Sequence, residues 1–189
     1  MKYPRIWQMA AGYPQYIDAR RGFRARIHLT CRLREGQIAP MLIIEPASPL
    51  APGPHALLTQ SHAMMQELFE PEENYFLGFE ALCAPEVHFV AARRDGEVLG
   101  TGALVVNGGY GEIKSMFTAA EARGHGVAAA ILRALEDHAR QAGISLLRLE
   151  TADVLAGAVR LYERHGYVRC GLFGDYAPND VSVYMEKAL

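Results

Sequence analysis

Residues 121–141, EARGHGVAAAILRALEDHARQ, set an arginine and two glycines directly ahead of an amphipathic helical pattern. Glycine costs a helix close to 1 kcal/mol relative to alanine, so two of them at a helix entrance mark a place where bare backbone is wanted. Ile131, Leu132, Leu135 and Ala139 recur at helical spacing and form the stripe that anchors this helix to a sheet. The first N–H groups of a helix lack intrahelical partners, and its macrodipole adds about half a positive charge, so phosphate is held there without a lysine. Gly124 and Gly126 remove side chains that would block the approach, and Ala128 and Ala129 keep the first turn slim. The plainer alternative is a glycine turn that merely ends a loop. Arginine, two glycines and consecutive small residues together favour phosphate binding, although Gly-x-Gly alone is weak evidence.

Outward from this helix, the residues before it read as strands. VHFVAARR and EVLGTGALVVN flank Asp95-Gly96, a strong hairpin signal, and YGEIKSMFT follows Gly108-Gly109, which predicts an antiparallel meander. Further upstream, MLIIEPA reads as a short strand and PASPLAPGP as a loop. HALLTQSHAMMQELFE reads as a helix with Leu57, Leu58, Met64, Met65, Leu68 and Phe69 on its apolar side, and NYFLGFEALC as a second, shorter apolar segment. After the central helix, ISLLRLETA, AGAVRLYERHG, YVRCGLFG and VSVYMEKAL read as strand, helix, strand and strand, with Gly166 ending the helix in a left-handed conformation. The order predicts an α+β layered sheet rather than a doubly wound one.

Composition narrows the function classes. The 189 residues are 50% hydrophobic and 21% charged, as in an ordinary globular protein, and no apolar run approaches the roughly 20 residues of a membrane span. A soluble, cytoplasmic chain is expected. Cys31, Cys83 and Cys170 are scattered and without a CxxC pair, which argues against a disulfide framework or zinc site and for a reducing compartment. The histidines show no HExxH spacing, so no metal is expected, and no GxSxG elbow is present. Arg133, Arg140 and Arg148 read as solvated.

Charge divides the chain. Residues 1–40 hold eight Lys or Arg against two acids, and residues 41–189 hold eleven against nineteen. RGFRARIHLTCRLR alternates apolar and basic positions like a strand with one basic face, which raises a nucleic-acid arm as one reading. A solvated extension, or residues upstream of a true start at Met41, is the plainer one and is favoured. The expected organisation is therefore a basic extension over 1–40 and a folded domain over 41–189.

Two phosphate-binding rivals fail on context. GHGVAA satisfies the Gly-x-Gly-x-x-Gly/Ala dinucleotide fingerprint, with Glu150 as its acidic residue. That fold needs its glycines at the end of a first strand and several strand-helix units after them, whereas only about 60 residues follow here. A nucleotide triphosphatase P-loop lacks its lysine.

The residues resemble the Gcn5-related N-acetyltransferases (GNAT), whose signature Arg/Gln-x-x-Gly-x-Gly/Ala is matched in register by Arg123, Gly126 and Ala128. The resemblance continues through LRLETA, LYERHGY and MEKAL. It implies a mixed sheet of about six to seven strands flanked by about four helices, with acetyl-CoA as co-substrate and an amine, preferably a small molecule, as acceptor. In that family the loop amides hold the coenzyme pyrophosphate, here Arg123, Gly124, His125, Gly126, Val127, Ala128 and Ala129, and strand backbone holds the pantetheine arm, here Met116, Phe117 and Thr118. Ala120 stands where proline is common, and Leu155 where asparagine or glutamine often contacts the coenzyme. A homodimer is the family-level expectation. A catalytically silent acyl-CoA sensor is the principal alternative, ahead of an oxidoreductase or a nucleic-acid-associated protein.

The implied chemistry needs a base, because an amine of pKa near 10.4 is neutral in roughly one molecule in 10³ at pH 7, a cost of about 4.6 kcal/mol. Alternation along YGEIKSMF puts Tyr110, Glu112, Lys114 and Met116 on one face. Glu112 is the candidate base, and an ion pair with Lys114 is its competing role. The resemblance assigns the oxyanion to backbone near Met116, and reprotonation of the coenzyme thiolate to Tyr162, whose competing role is a core tyrosine. FGDYAPND is expected to border the acceptor.

Overall fold

The computed structural model describes residues 41–189, so the readings made on residues 1–40, including the basic ribbon and Cys31, lie outside the described residues. Seven strands form one mixed sheet in the order β1-β2-β3-β4-β5-β7-β6. These are β1 (Ile43–Pro46), β2 (Val87–Arg94), β3 (Glu97–Asn107), β4 (Tyr110–Thr118), β5 (Leu146–Ala152), β6 (Val168–Arg169) and β7 (Ser182–Ala188). Four helices complete the fold: α1 (Pro52–Leu68), α2 (Phe79–Leu82), α3 (Val127–Gln141) and α4 (Ala156–Arg164). All neighbouring strands are antiparallel except β4 and β5.

The meander follows from its turns. Asp95 and Gly96 have φ of 52° and 85°, the paired left-handed conformation that a tight two-residue hairpin requires, and Gly109 at φ 108° serves the next turn. α1 begins inside the predicted Pro-rich loop, with prolines in its first turn where a missing N–H costs nothing. The second apolar segment forms only a four-residue helix, and YVRCGLFG contracts to a two-residue strand. Cys170 thus lies just past the strand, its N–H bonded to the Tyr184 carbonyl at 2.9 Å.

Helices cover both faces of the sheet. A Cβ on Gly102 would collide with Ile131 and Leu135 of α3, so bare backbone at this position of β3 lets α3 lie close. The adjacent Ala103 points the other way and packs with Leu58 of α1 and Leu82 of α2. Ile131, Leu132, Leu135 and Ala139 are fully buried, as the helical stripe predicts. At about 1.5–3 kcal/mol for each large apolar side chain, this stripe is a main anchor of the fold.

β4 departs from regular alternation. Ser115 has φ 53°, and the β3–β4 register shifts between Thr101 and Ala103, so one extra residue bulges out of β4. The Thr101 hydroxyl donates to the Ser115 carbonyl at 3.1 Å and steadies the bulge. Its effect is to turn Met116 to the α3 face, where its sulfur lies against the Gly102 position. Tyr110, Glu112 and Lys114 share a face as predicted, and Met116 does not.

Candidate active site

The loop ahead of α3 is exposed from Arg123 to Gly126. Gly124 and Gly126 have φ of 77° and 78°, and each has open space where a Cβ would stand. The left-handed backbone explains both glycines, since L residues with a Cβ avoid it. Among the described residues no backbone acceptor reaches the N–H groups of Gly124, His125 or Gly126 outside regular elements. Those of Val127, Ala128 and Ala129 open α3 and lack intrahelical partners. Arg123 is tied back, with Nε donating to the Thr118 carbonyl at 3.3 Å and its guanidinium lying over Phe117. His125 borders a cavity of about 270 Å³ shared with Arg94, Glu97 and Glu121. Arg94 Nε is buried there without a hydrogen-bond partner among the described residues.

Beside this loop the sheet opens. β4 and β5 pair only at Gly111–Leu147, Glu112–Arg148 and Ile113–Leu149, and part beyond that point. The backbone of Met116, Phe117 and Thr118 therefore borders a gap on its β5 side while β3 occupies its other edge. Arg123 ties the α3 loop to this stretch of β4 through the Thr118 carbonyl and the Phe117 ring.

The face opposite α3 carries the ionisable groups. Glu112 is buried and accepts hydrogen bonds from the Tyr176 hydroxyl at Oε1 and from Asn107 Nδ2 at Oε2, the latter at 3.3 Å. Lys114 Nζ lies 3.3 Å from Glu112 Oε1 and donates to the Tyr176 hydroxyl at 2.6 Å. The ion pair anticipated from the sequence therefore exists, with Tyr176 built into it. Burial first, then the Glu112 charge, pushes the Tyr176 phenol far above its ordinary value, so it remains a donor. Tyr176 packs edge-on against Tyr75, Phe173 and Tyr184, with ring centroids 4.9–5.4 Å apart. Arg148 is not a free surface arginine: it pairs with Glu186 and lies over Tyr110 and Phe173.

Tyr162 stands on the other face. It is buried in the cluster that contains Leu147, Leu149 and the α3 stripe, and its ring meets Tyr167 edge-on at 5.7 Å. Burial, with a smaller contribution from the Glu150 charge, raises its pKa well above the ordinary phenol value, so it is protonated throughout the physiological range. Gly166 ends α4 at φ 84°, as expected. Of the residues that sequence reasoning missed, Phe173 and Tyr176 fall within the flagged FGDYAPND stretch. Tyr75 and Asn107 carried no local signal.

An exposed amide loop beside a parting of two parallel strands is the feature on which comparison with known proteins bears. The model of the acetyltransferase (GNAT) family matches residues 56–167. The chain belongs to the GNAT acetyltransferase family. It is 38% identical over 152 residues to an IAA acetyltransferase of Azospirillum brasilense, covering 79% of this chain and 99% of that one. Among solved structures it is similar to a candidate acyl-CoA N-acyltransferase from Klebsiella pneumoniae, with 33% identity, a TM-score of 0.66, and 78% and 97% of the two chains covered. A GNAT acetyltransferase from Elizabethkingia anophelis with acetyl-CoA bound shares the fold at 16% identity and a TM-score of 0.57, over 78% and 98% of the chains. The seven-stranded mixed sheet with four helices is the GNAT fold, and the protein is an enzyme of the N-acetyltransferase class. No helix among the described residues is long and apolar enough to cross a membrane.

Proposed function

We propose that this protein transfers the acetyl group of acetyl-CoA directly to a primary amine of a small molecule. The observation that carries the reading is the end of β4–β5 pairing at Ile113–Leu149 together with the Arg123 contacts that join the exposed loop to Phe117 and Thr118 of β4. The loop suits a diphosphate because it offers bare N–H groups, a helix N-terminus and no obstructing side chain. Backbone of Met116, Phe117 and Thr118 holds the pantetheine arm along the gap, and a β4 amide near Met116 receives the developing oxyanion. Bound acetyl-CoA supplies an activated thioester carbonyl.

The chain's own residues handle the protons. Glu112, the base expected from the sequence, keeps one acceptor site free beyond its three donors, which suits it to drawing an ammonium toward the gap. Tyr162, buried on the opposite face with its phenol protonated, serves as the acid for the departing thiolate. Tyr75, Phe173 and Tyr176 form the apolar wall of the acceptor side.

The test is thiol release from acetyl-CoA over a panel of small primary amines, alongside thermal melting. Acetyl-CoA at about 100 times its dissociation constant stabilises by roughly 2.7 kcal/mol, and NADH gives no comparable shift. Coenzyme binding with a silent panel turns the reading toward an acyl-CoA sensor. No melting shift with acetyl-CoA defeats both.

A further inference from the structure

The cavity that His125 shares with the β2–β3 hairpin takes no part in the acyl and proton steps derived above. Arg94 and Glu97 are direct partners across that hairpin, which puts their side chains on one face. Opposite charges so close ordinarily meet, as Arg93 meets Glu45 between β2 and β1 at 3.0 Å. Arg94 and Glu97 do not. Both line the cavity, and neither has an ion-pair partner among the described residues. Asp95 and Glu121 line the same cavity and are equally unpaired there. Arg94 Nε is shut off from solvent with no acceptor, and a hidden N–H left unsatisfied costs free energy. Leu99 and Ala122, both buried, supply the apolar part of the lining.

The charges select the ligand. Apart from His125, one cation stands against three carboxylates, so a plain anion is repelled and a plain cation leaves Arg94 Nε without its acceptor. A molecule carrying a carboxylate and ammonium groups answers both needs, and an alkyl chain between them covers Leu99 and Ala122. At ~30 Å³ per water, the volume of about 270 Å³ holds roughly nine heavy atoms, close to the size of a diamino carboxylic acid.

We propose that this cavity is a binding site for a basic amino acid, its carboxylate on Arg94 and its ammonium groups on Glu97 and Glu121, and that occupancy strengthens coenzyme binding at the neighbouring loop. The site itself is independent of the acetyltransferase reading, whereas its effect on the coenzyme rests on that reading. The route is electrostatic. Glu121 lies two residues before Arg123, and His125 belongs both to the cavity and to the exposed amide loop. Carboxylates beside that loop oppose a diphosphate, and a bound cationic group offsets them. The coupling is reciprocal, so the coenzyme tightens the amino acid by the same factor.

The experiment is isothermal titration calorimetry of the full chain with L-lysine, for wild type, Arg94→Met and Glu121→Gln. Hexanoate and diaminopentane serve as probes that lack the ammonium groups and the carboxylate, respectively. Lysine is expected to bind the wild type, with each incomplete probe about 10-fold weaker or worse, and each substitution to weaken lysine by a similar factor. Glu121 is exposed, so Glu121→Gln supplies the test even where Arg94→Met fails to fold. Saturating lysine is expected to lower the acetyl-CoA dissociation constant about 5-fold. Lysine heat that both variants leave unchanged puts lysine elsewhere, the acceptor side included, and overturns the site. Absence of heat with lysine overturns it too, as does diaminopentane binding as tightly as lysine, because Arg94 is then idle. Lysine binding that leaves acetyl-CoA affinity unchanged overturns the coupling. Lysine binding that depends on Arg94 and Glu121, with no heat from acetyl-CoA, supports the site and defeats the acetyltransferase reading alone.

Discussion

Glu150 and Tyr162 lie on opposite faces of the sheet. Glu150 lies on the face of Glu112 and Lys114, Tyr162 lies among the core side chains beneath α3 and α4, and the Glu150 charge is nonetheless felt at the Tyr162 phenol. Elsewhere the hydrogen-bonded sheet keeps the two faces apart. Beyond the last β4–β5 pair at Leu149 no β4 partner stands beside Glu150, and a charge on one face acts on a phenol of the other.

Tyr162→Phe removes one oxygen and keeps the ring that packs on Tyr167. Thermal melting is expected to change little, while kcat falls by about 10²-fold or more, the usual contribution of a positioned acid. Steady-state kinetics beside a melting curve separates the two effects. Unchanged kcat would return Tyr162 to a core role.

Gly126→Ala places a Cβ at φ 78°, a conformation that costs an L residue about 1–2 kcal/mol. Nothing crowds the position, so the strain is purely one of backbone. The variant is expected to melt lower and to gain less from acetyl-CoA, because relaxing φ turns the loop amides away. Differential scanning with and without coenzyme reads both quantities.

Lys187→Ala isolates a buried charge. Glu136 is buried on α3, and Lys187 Nζ lies 2.8 Å from each of its carboxylate oxygens, with Arg140 farther off at 3.7 Å. Removing the lysine is expected to cost about 3 kcal/mol in urea unfolding at neutral pH. Adding Glu136→Gln should recover most of it, since the orphaned charge then disappears.

The stacked His88 and His138 rings, 3.5 Å between centroids and nearly parallel, predict an acid sensitivity. Burial, then the charge of His138, lowers His88 to about 4, and burial lowers His138. Both rings are neutral in the fold, and above pH 6.5 they are neutral in the unfolded chain too, so stability there is undiminished. As pH falls from 6.5 toward 4 the unfolded chain binds the extra protons and stability declines. His88→Phe keeps a ring in the stack and is expected to flatten that decline in pH-dependent urea melts.

Local features were legible from sequence because they depend on neighbours. The Asp95-Gly96 turn, the α3 stripe, the glycines before it and the Gly166 stop are each set by residues within a few positions, and the structure reproduces all of them. The face of Met116 was not legible: alternation assumes one residue per pleat, and the bulge at Ser115 adds one. The partners of Glu112 were only half legible. Lys114 is two residues away on the same strand, whereas Tyr176 arrives from 64 positions downstream through a loop whose path depends on the finished sheet. Glu150 drew notice only as an acidic residue for a dinucleotide that the topology excludes. Its setting appears only once β4 and β5 have separated.

The single inserted residue at Ser115 divides β4 into two territories. Before it, Tyr110, Glu112 and Lys114 present side chains on the face opposite α3. After it, Met116 turns to the α3 face and packs, partly buried, against the core. Under the proposed function, recognition of the amine rests on exchangeable side chains and recognition of the acyl donor on main chain. Under that same function, substitutions before Ser115 change the choice of amine, whereas substitutions after it leave the main-chain contacts to the acyl donor in place.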